Sequence, residues 1–118
     1  MNTGGDILIA GFTISGNVPR TVLLRGVGPS LAALGLGGVL ANPRLELHND
    51  RTKLDENDDW GGNPVLVTTF AQVGAFPLGA NTRDAALLVS LVPGSYTAQV
   101  SGVGSGTGVA LIEVYEVP

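Results

Sequence analysis

The sequence predicts an all-β protein: an antiparallel β-sandwich, jelly-roll-like in outline, with one or two short helical turns. Short apolar runs of strand length recur along the 118 residues, and clusters of Gly, Pro, Asn and Ser separate them. Charged residues make up 14% of the chain, below the value of about 25% that is typical of soluble domains. A chain of this length has room for one hydrophobic core, so residues 1–118 are predicted to form a single domain.

Six segments have the apolar periodicity expected of strands. In one of them, alternation places Leu45 and Leu47 inward and Glu46 and His48 outward. Residues 15–19 contain the Gly, Asn and Pro of a chain reversal, and a Pro-Gly pair precedes the fifth segment. The predicted strands are Ile7–Ile14, Thr21–Arg25, Arg44–His48, Ala85–Leu91, Tyr96–Ser101 and Val109–Val117.

Two further segments are predicted to be short helices. Pro29–Leu34 ends at Gly35, and glycine is favoured just beyond the end of a helix. Pro64–Val73 follows Asn63, whose side chain is a suitable N-cap. It begins with proline, which is favoured at the first helical position.

Composition excludes several classes of protein and site. The chain has no cysteine, so it has no disulfide, no zinc–thiolate site and no thiol nucleophile. A pI near 4.6 argues against nucleic acid or an anionic membrane as a partner. No run approaches the ~18 consecutive apolar residues that membrane insertion requires. The positive mean hydropathy predicts exposed apolar surface, which favours self-association or contact with a neighbouring domain.

Charge is concentrated in one segment of the chain. Six of the ten acidic residues lie between Glu46 and Asp59. With Arg51 and Lys53, they give this segment a charge of −4, equal to the formal net charge of the whole chain. The contrast with the sparsely charged remainder predicts a binding or structural module, with a cation site as one use of the acids.

Calcium is the cation that this segment would suit, because it takes about six to eight oxygen ligands, often from one loop. Asp55, Asn57 and Asp59 are spaced two apart, so on an extended strand their side chains leave the same face. Asn49, Asp50 and Asp58 could supply further oxygens, and Asp58 is the nearest of them in sequence. The tentative calcium ligands are therefore Asp55, Asn57, Asp58 and Asp59.

The helix-loop-helix form of calcium site is excluded, and a structural interpretation remains open beside the metal. Trp60 stands where that loop requires glycine, and Leu66 stands where it requires a bidentate glutamate. In the structural interpretation, Asn49-Asp50 and Asn57-Asp58 form Asx turns at the ends of a hairpin.

Trp60, the only tryptophan, follows these carboxylates and precedes Gly61-Gly62. An exposed tryptophan beside carboxylates can stack on the apolar face of a sugar ring, which makes Trp60 the tentative ligand-stacking residue. The alternative is that the indole plugs one end of the sandwich while the two glycines let the chain turn sharply.

The chain is predicted not to be an enzyme, and no catalytic residue is assigned. The only histidine, His48, has no Gly-x-Ser-x-Gly nucleophile to serve as base. A carboxylate pair of the glycosidase kind stays open as an alternative, although Asp58 and Asp59 are adjacent and so point to opposite faces of a strand. Gly26–Ser30 lacks the third glycine and the lysine of phosphate-binding loops, which predicts a tight turn.

Several segments together resemble a repeat or accessory module of large secreted and surface proteins of Verrucomicrobia and related bacteria. The resemblance covers nearly the whole chain. From about Arg44 onward, the pattern is also similar to bacterial pre-peptidase C-terminal domains, which are β-sandwiches. The motifs of the first resemblance are Ile7–Phe12, Thr21–Leu31, Asn57–Gly62, Asp84–Leu88, Pro93–Gly102 and Val109–Val117.

The first resemblance implies a non-catalytic structural or adhesive module of an extracellular or cell-surface bacterial protein. Its partners would be itself or neighbouring modules of the same protein. The second implies an alternative, a calcium-dependent module that binds carbohydrate or another polymer, with a polysaccharide as partner. A hydrolase fragment is a third hypothesis.

The start of the chain adds two expectations. Residues 1–5 lack the basic and apolar regions of a signal peptide. Modules of the first kind commonly carry another strand-like segment upstream of Gly5-Asp6-Ile7. If that strand belongs to the sheet, an edge is left open here, and another subunit could fill it by strand addition.

Overall fold

Two antiparallel sheets form the body of the protein, as the sequence predicts. The computed structural model describes residues 7–79, 81–105 and 107–118. Strands make up 47% of it, so the expectation of an all-β, sandwich-like fold is confirmed. The elements in chain order are β1 (Leu8–Ile14), β2 (Arg20–Val27), a 3₁₀ helix (Pro29–Leu34), β3 (Pro43–His48), β4 (Lys53–Asn57), α1 (Pro64–Val73), β5 (Ala85–Leu91), β6 (Gly94–Gly102), a short 3₁₀ segment (Val103–Ser105) and β7 (Leu111–Val117).

One sheet has four strands in the order β1-β6-β3-β4, and the other has three in the order β5-β2-β7. Only β3 and β4 are consecutive along the chain and also paired, as a hairpin. Every other connection between consecutive strands crosses from one sheet to the other. Residues 15–19 therefore do not close a hairpin between β1 and β2, as a simple reversal would, but carry the chain between the sheets.

β2 lies at the centre of the three-stranded sheet, and both of its faces are buried. Val22 and Leu24 point toward the four-stranded sheet, whereas Leu23 and Val27 point toward the helix side. All four side chains are at most 1% exposed. A strand covered on both sides has no need of a polar face, which explains its nearly continuous apolar sequence.

The main core fills the space between the two sheets. It follows the period of two along each strand: inward residues of β3 and β6 meet those of β2 and β5. Leu45 and Leu47 of β3 are inward and Glu46 and His48 are not, which confirms the predicted alternation. The buried side chains of this core are Val22, Leu24, Leu40, Leu45, Leu47, Ala85, Leu87, Leu91, Tyr96, Ala98 and Val100.

A second, smaller core lies on the other face of the three-stranded sheet, beneath α1. The helix forms where predicted: Asn63 Oδ1 accepts a hydrogen bond from Val65 N at 2.8 Å, and Pro64 is the first helical residue. Gly74 ends the helix in the left-handed region. The short helix predicted at Pro29–Leu34 is also present, as a 3₁₀ helix. The buried side chains of this core are Leu23, Val27, Leu31, Trp60, Leu66, Phe70, Leu78 and Ala86.

The outer face of the four-stranded sheet is polar and carries no covering layer in the described part of the chain. Glu46 and His48 of β3 lie on it, beside Thr97 and Gln99 of β6. An antiparallel sheet with one packed and one solvated face accounts for this alternation. None of the described helices has the length and apolar character needed to cross a membrane.

Gly28 is expected to tolerate no larger residue, because the backbone of Leu40 lies directly against it. A Cβ on Gly28 would lie 2.2 Å from the carbonyl oxygen of Leu40, so the backbone would have to move. We expect Gly28→Ala to lower the free energy of unfolding by about 1–3 kcal/mol. Urea unfolding followed by tryptophan fluorescence measures this change. The matched control is Gly37→Ala, where an added Cβ meets nothing within 4 Å; equal effects of the two variants would contradict the steric explanation.

Candidate functional site

Side chains at the end of the acidic segment form hydrogen bonds that hold the local backbone in place. Asn57 ends β4, and its Oδ1 accepts hydrogen bonds from Asp59 N and from Ala86 N, both at 3.1 Å. Its Nδ2 donates to the carbonyl oxygen of Asp59 at 3.1 Å. Asp59 Oδ1 accepts from Gly61 N at 3.1 Å. The predicted Asx turn at Asn57 is therefore confirmed, and its side chain also links β4 to the edge of β5.

The other end of the hairpin has the second predicted Asx turn. Asn49 Oδ1 accepts hydrogen bonds from Arg51 N at 2.8 Å and from Thr52 N at 2.7 Å. The structural interpretation of the asparagines at both ends of β4 is thus confirmed.

The four tentative calcium ligands do not converge on one point. Asp55 lies on β4, where its Oδ1 accepts from the adjacent Glu56 N at 2.8 Å, and Asp58 is exposed. Asn57 and Asp59 direct oxygens at backbone amides. Among the described residues, no three His, Cys, Asp or Glu side chains are grouped so that they could hold a metal ion. Calcium binding by this segment remains a prediction, tested below.

Trp60 lies inside the second core. Its side chain is 4% exposed, and its ring packs against that of Phe70 with centroids 5.2 Å apart. The indole Nε1 donates to the carbonyl oxygen of Gly79 at 3.2 Å, and the backbone N donates to that of Asp84 at 3.0 Å. This is the position expected of a plug. Stacking on a sugar would require the indole face to be uncovered first.

A carboxylate that the sequence analysis did not single out organises this end of the sandwich. Asp84 is fully buried and precedes β5. Its Oδ1 accepts from Gly28 N at 2.8 Å and from Ser30 N at 3.2 Å. Its Oδ2 accepts from Ser30 Oγ at 2.6 Å and from Thr82 Oγ1. The turn Gly26–Ser30 is thus held by Asp84, as a structural site and not as a phosphate loop.

Arg25 is the second buried ionisable group. It is fully buried on β2, and its guanidinium lies between the rings of Phe70 and Phe76, at 4.6 and 4.5 Å from their centroids. Nη1 donates to the carbonyl oxygen of Phe76 at 2.6 Å. Nε lies 2.8 Å from Glu113 Oε1, close enough for an ion pair but without hydrogen-bond alignment. The two rings favour the cation through their faces.

Burial and the charges of neighbouring groups shift the pKa of Arg25 in opposite directions. Burial lowers the pKa of Arg25 from its ordinary value, and the nearby Glu113 carboxylate is the largest of the groups that offset this effect. Tyr115 lies on the same face of β7 as Glu113. Its pKa is raised, mainly by burial and further by the charge of Glu113. The one sequence signal for this site is an arginine within the otherwise apolar run Val22–Val27 of β2, which must find partners when buried.

An apolar cleft of about 310 Å³ opens between α1 and the segment that follows it. None of the described residues that line it is charged, and the indole N–H of Trp60 is already donated to Gly79. The cleft therefore offers a ligand apolar contact but no charged group to fix its orientation. The lining residues are Trp60, Val67, Phe70, Ala71, Ala75, Pro77 and Leu78.

His48 lies on the outer face of β3 with its Nε2 2.9 Å from Glu46 Oε1. Both side chains are about a quarter exposed, and among the described residues no serine or threonine hydroxyl forms a hydrogen bond with the imidazole. A nucleophile–histidine pair is therefore not assembled at this position.

Comparison with models of known protein families, with curated proteins and with solved structures finds no match to this chain. The interpretation of the sites consequently rests on their geometry.

Substitutions in the acidic segment separate the structural from the metal interpretation. We expect Asn57→Ala to lower the free energy of unfolding by about 1–3 kcal/mol, because it leaves the amide of buried Ala86 without a partner. Asp58→Ala should change it little, since Asp58 is exposed. Thermal melts with added calcium or chelator test the metal interpretation. A melting temperature that rises with calcium in the parent, and not in Asp58→Ala, would establish a metal site.

The Arg25–Glu113 pair should be strongly coupled. Arg25→Met removes the cation from beside a carboxylate oxygen that is itself buried and without a hydrogen-bond partner, and we expect a loss of about 3–5 kcal/mol. Adding Glu113→Leu should restore a large part of that loss, because no unpaired carboxylate is then left behind. A double-mutant cycle by urea unfolding measures the coupling. Additive effects of the two substitutions would contradict the ion pair.

Proposed function

We propose that this chain is a non-catalytic structural or adhesive module of an extracellular or cell-surface bacterial protein, and that it acts by associating with like modules. The observation that carries the proposal is an asymmetry between the two sides of the sandwich. One side is closed by polar contacts between the sheets, and the other leaves exposed apolar residues on the inward faces of its strands.

The sealed side is formed by β4 and β5. Asn57 at the end of β4 accepts from the Ala86 amide on β5, so this contact closes the gap between the two sheets. β4 also carries the charges of Lys53, Asp55 and Glu56, with Lys53 Nζ 2.7 Å from Glu56 Oε1. Charged side chains on an edge strand discourage the addition of another strand.

The open side is formed by β1 and β7, which lie near each other at the corresponding edges of the two sheets. Leu8 of β1 shares the inward face of Ala98 and Val100, yet it is 39% exposed. Val114 of β7 shares the inward face of Leu24 and is also 39% exposed. Inward-facing apolar residues that remain this exposed support a role for this side in contacts with another module.

The buried ionisable groups support a structural role in a different way. Asp84 uses its carboxylate on Gly28, Ser30 and Thr82, and Arg25 is enclosed by two rings and paired with Glu113. Each group stabilises the conformation of a loop. The extracellular location is proposed from the sequence resemblance and from a composition without cysteine that suits bacterial surface modules.

The proposal predicts association that depends on concentration. In sedimentation velocity across the micromolar range, the mass should rise above the 12.0 kDa of one chain as concentration increases. Added salt should strengthen the association or leave it unchanged, because it screens the repulsion between chains of charge −4, while the charged groups at the proposed contact, Arg20 and Glu116, already pair with each other. A single 12.0 kDa species throughout the concentration range would overturn the proposal.

A further inference from the structure

We propose that the partner at the open side is a second copy of this chain, with β1 of each copy paired antiparallel about a two-fold axis. The two four-stranded sheets would then form one continuous eight-stranded sheet in a closed dimer. This inference rests on the proposed function and names the partner and geometry of the same surface.

The four edge strands differ in how well they are protected against the addition of another strand. β4 has the charges of the acidic segment, and β7 carries Glu113 and Glu116. On β5, the amide of Ala86 is already taken by Asn57. By contrast, the chain from Ile7 to Pro19 contains no charged residue. Within the described part of the chain, β1 pairs with a strand on one side only. β1 is therefore the edge best suited to accept a further strand.

The distribution of charge selects a symmetric dimer over a head-to-tail polymer. β4 lies at the opposite edge from β1, three strand spacings or roughly 14 Å away. A β1-to-β4 contact between copies would desolvate the charges of β4 against an apolar strand. Pairing β1 with β1 instead places both acidic edges at the far ends of the sheet, separated by far more than the screening length of about 8 Å in physiological salt.

The same rotation closes the open side of the core. A two-fold axis perpendicular to the sheets relates both layers at once, so it brings β7 toward its own copy as it pairs β1. Leu8 and Val114, inward-facing but exposed in one chain, would be covered by the β1 and β7 edges of the second copy. Glu116, which lies near this contact, is paired with Arg20, whose Nη1 lies 3.4 Å from its Oε2. Glu113 likewise pairs with Arg25.

The register follows from the length of β1. Leu8–Ile14 overlaps completely with an antiparallel copy only when its middle residue, Gly11, lies opposite itself. Ile9 then faces Thr13 of the second copy on the outer side of the sheet. Gly11 also leaves room for a side chain, since the nearest atom to an added Cβ is the carbonyl oxygen of Tyr96 at 3.9 Å.

Disulfide cross-linking tests this register, and the chain contains no cysteine to interfere. Directly opposed residues of an antiparallel pair have Cα atoms about 4.5–5.5 Å apart, within the range that a disulfide spans. We expect Gly11→Cys to yield a covalent dimer under mild oxidation, at concentrations where the parent associates. The control is Gly37→Cys, at an open position in the loop after the 3₁₀ helix, which should remain largely uncross-linked.

A charged substitution on β1 tests whether this strand forms the contact between the two copies. Ile9 is 64% exposed on the outer face of β1, so Ile9→Lys should leave folding of one chain intact while weakening association about tenfold or more. The control Val65→Lys alters a residue that is 61% exposed, on α1 and away from β1. It should leave association unchanged. Urea unfolding of both variants at low concentration verifies that neither has lost its fold.

The possible results separate the two proposals. A parent chain that stays monomeric overturns both the dimer and the proposed function. Association that grows into open-ended polymers, that survives Ile9→Lys, or that gives no cross-link in Gly11→Cys overturns the symmetric β1 dimer and leaves self-association standing. A dimer that cross-links through Gly11→Cys and dissociates with Ile9→Lys supports both.

Discussion

The buried carboxylate of Asp84 is the interaction on which the helix side of this protein depends. Its oxygens accept from the turn after β2 and from Thr82, and the carbonyl of the same residue accepts from the amide of Trp60. Three segments far apart in sequence therefore meet at one residue. A buried acceptor with this many donors is costly to remove, because every donor loses its partner at once. The turn at Gly28 and the seating of Trp60 follow from this contact.

Arg25 of β2 is the second buried charged group on the helix side of the three-stranded sheet. A cation in the middle of a buried strand is destabilising unless it is enclosed by favourable groups, and here two phenylalanine rings and Glu113 enclose it. The hydrogen bond to the carbonyl of Phe76 fixes the segment after α1. Charge in this molecule thus has two uses: it fixes loops inside the helix layer, and it protects the β4 edge outside.

Much of the fold was predictable from the sequence because its signals are local. The alternation in β3, the asparagine cap and proline start of α1, and the two Asx turns depend on neighbouring residues only. β4 was not among the six predicted strands, since its exposed polar residues have no apolar alternation and it is held by pairing with β3. The roles of Asp84 and Arg25 depend on contacts across more than fifty positions. The hydrogen bond from the Ala86 amide to Asn57 joins residues 29 positions apart, so the local pattern of the acidic segment could not predict it.

The crossing of the chain between the sheets has a consequence for how the protein folds. β1 pairs with β6, so Leu8 finds its partner Val100 only across 92 intervening steps of sequence (100 − 8). Pairings this distant close large loops before they gain any contact, which makes folding slow. During synthesis, β1 emerges first and must remain unpaired until β6 has left the ribosome. An uncharged apolar strand is therefore exposed while β2 to β6 are synthesised, and this is the stage at which premature pairing between nascent chains would compete with the native sheet.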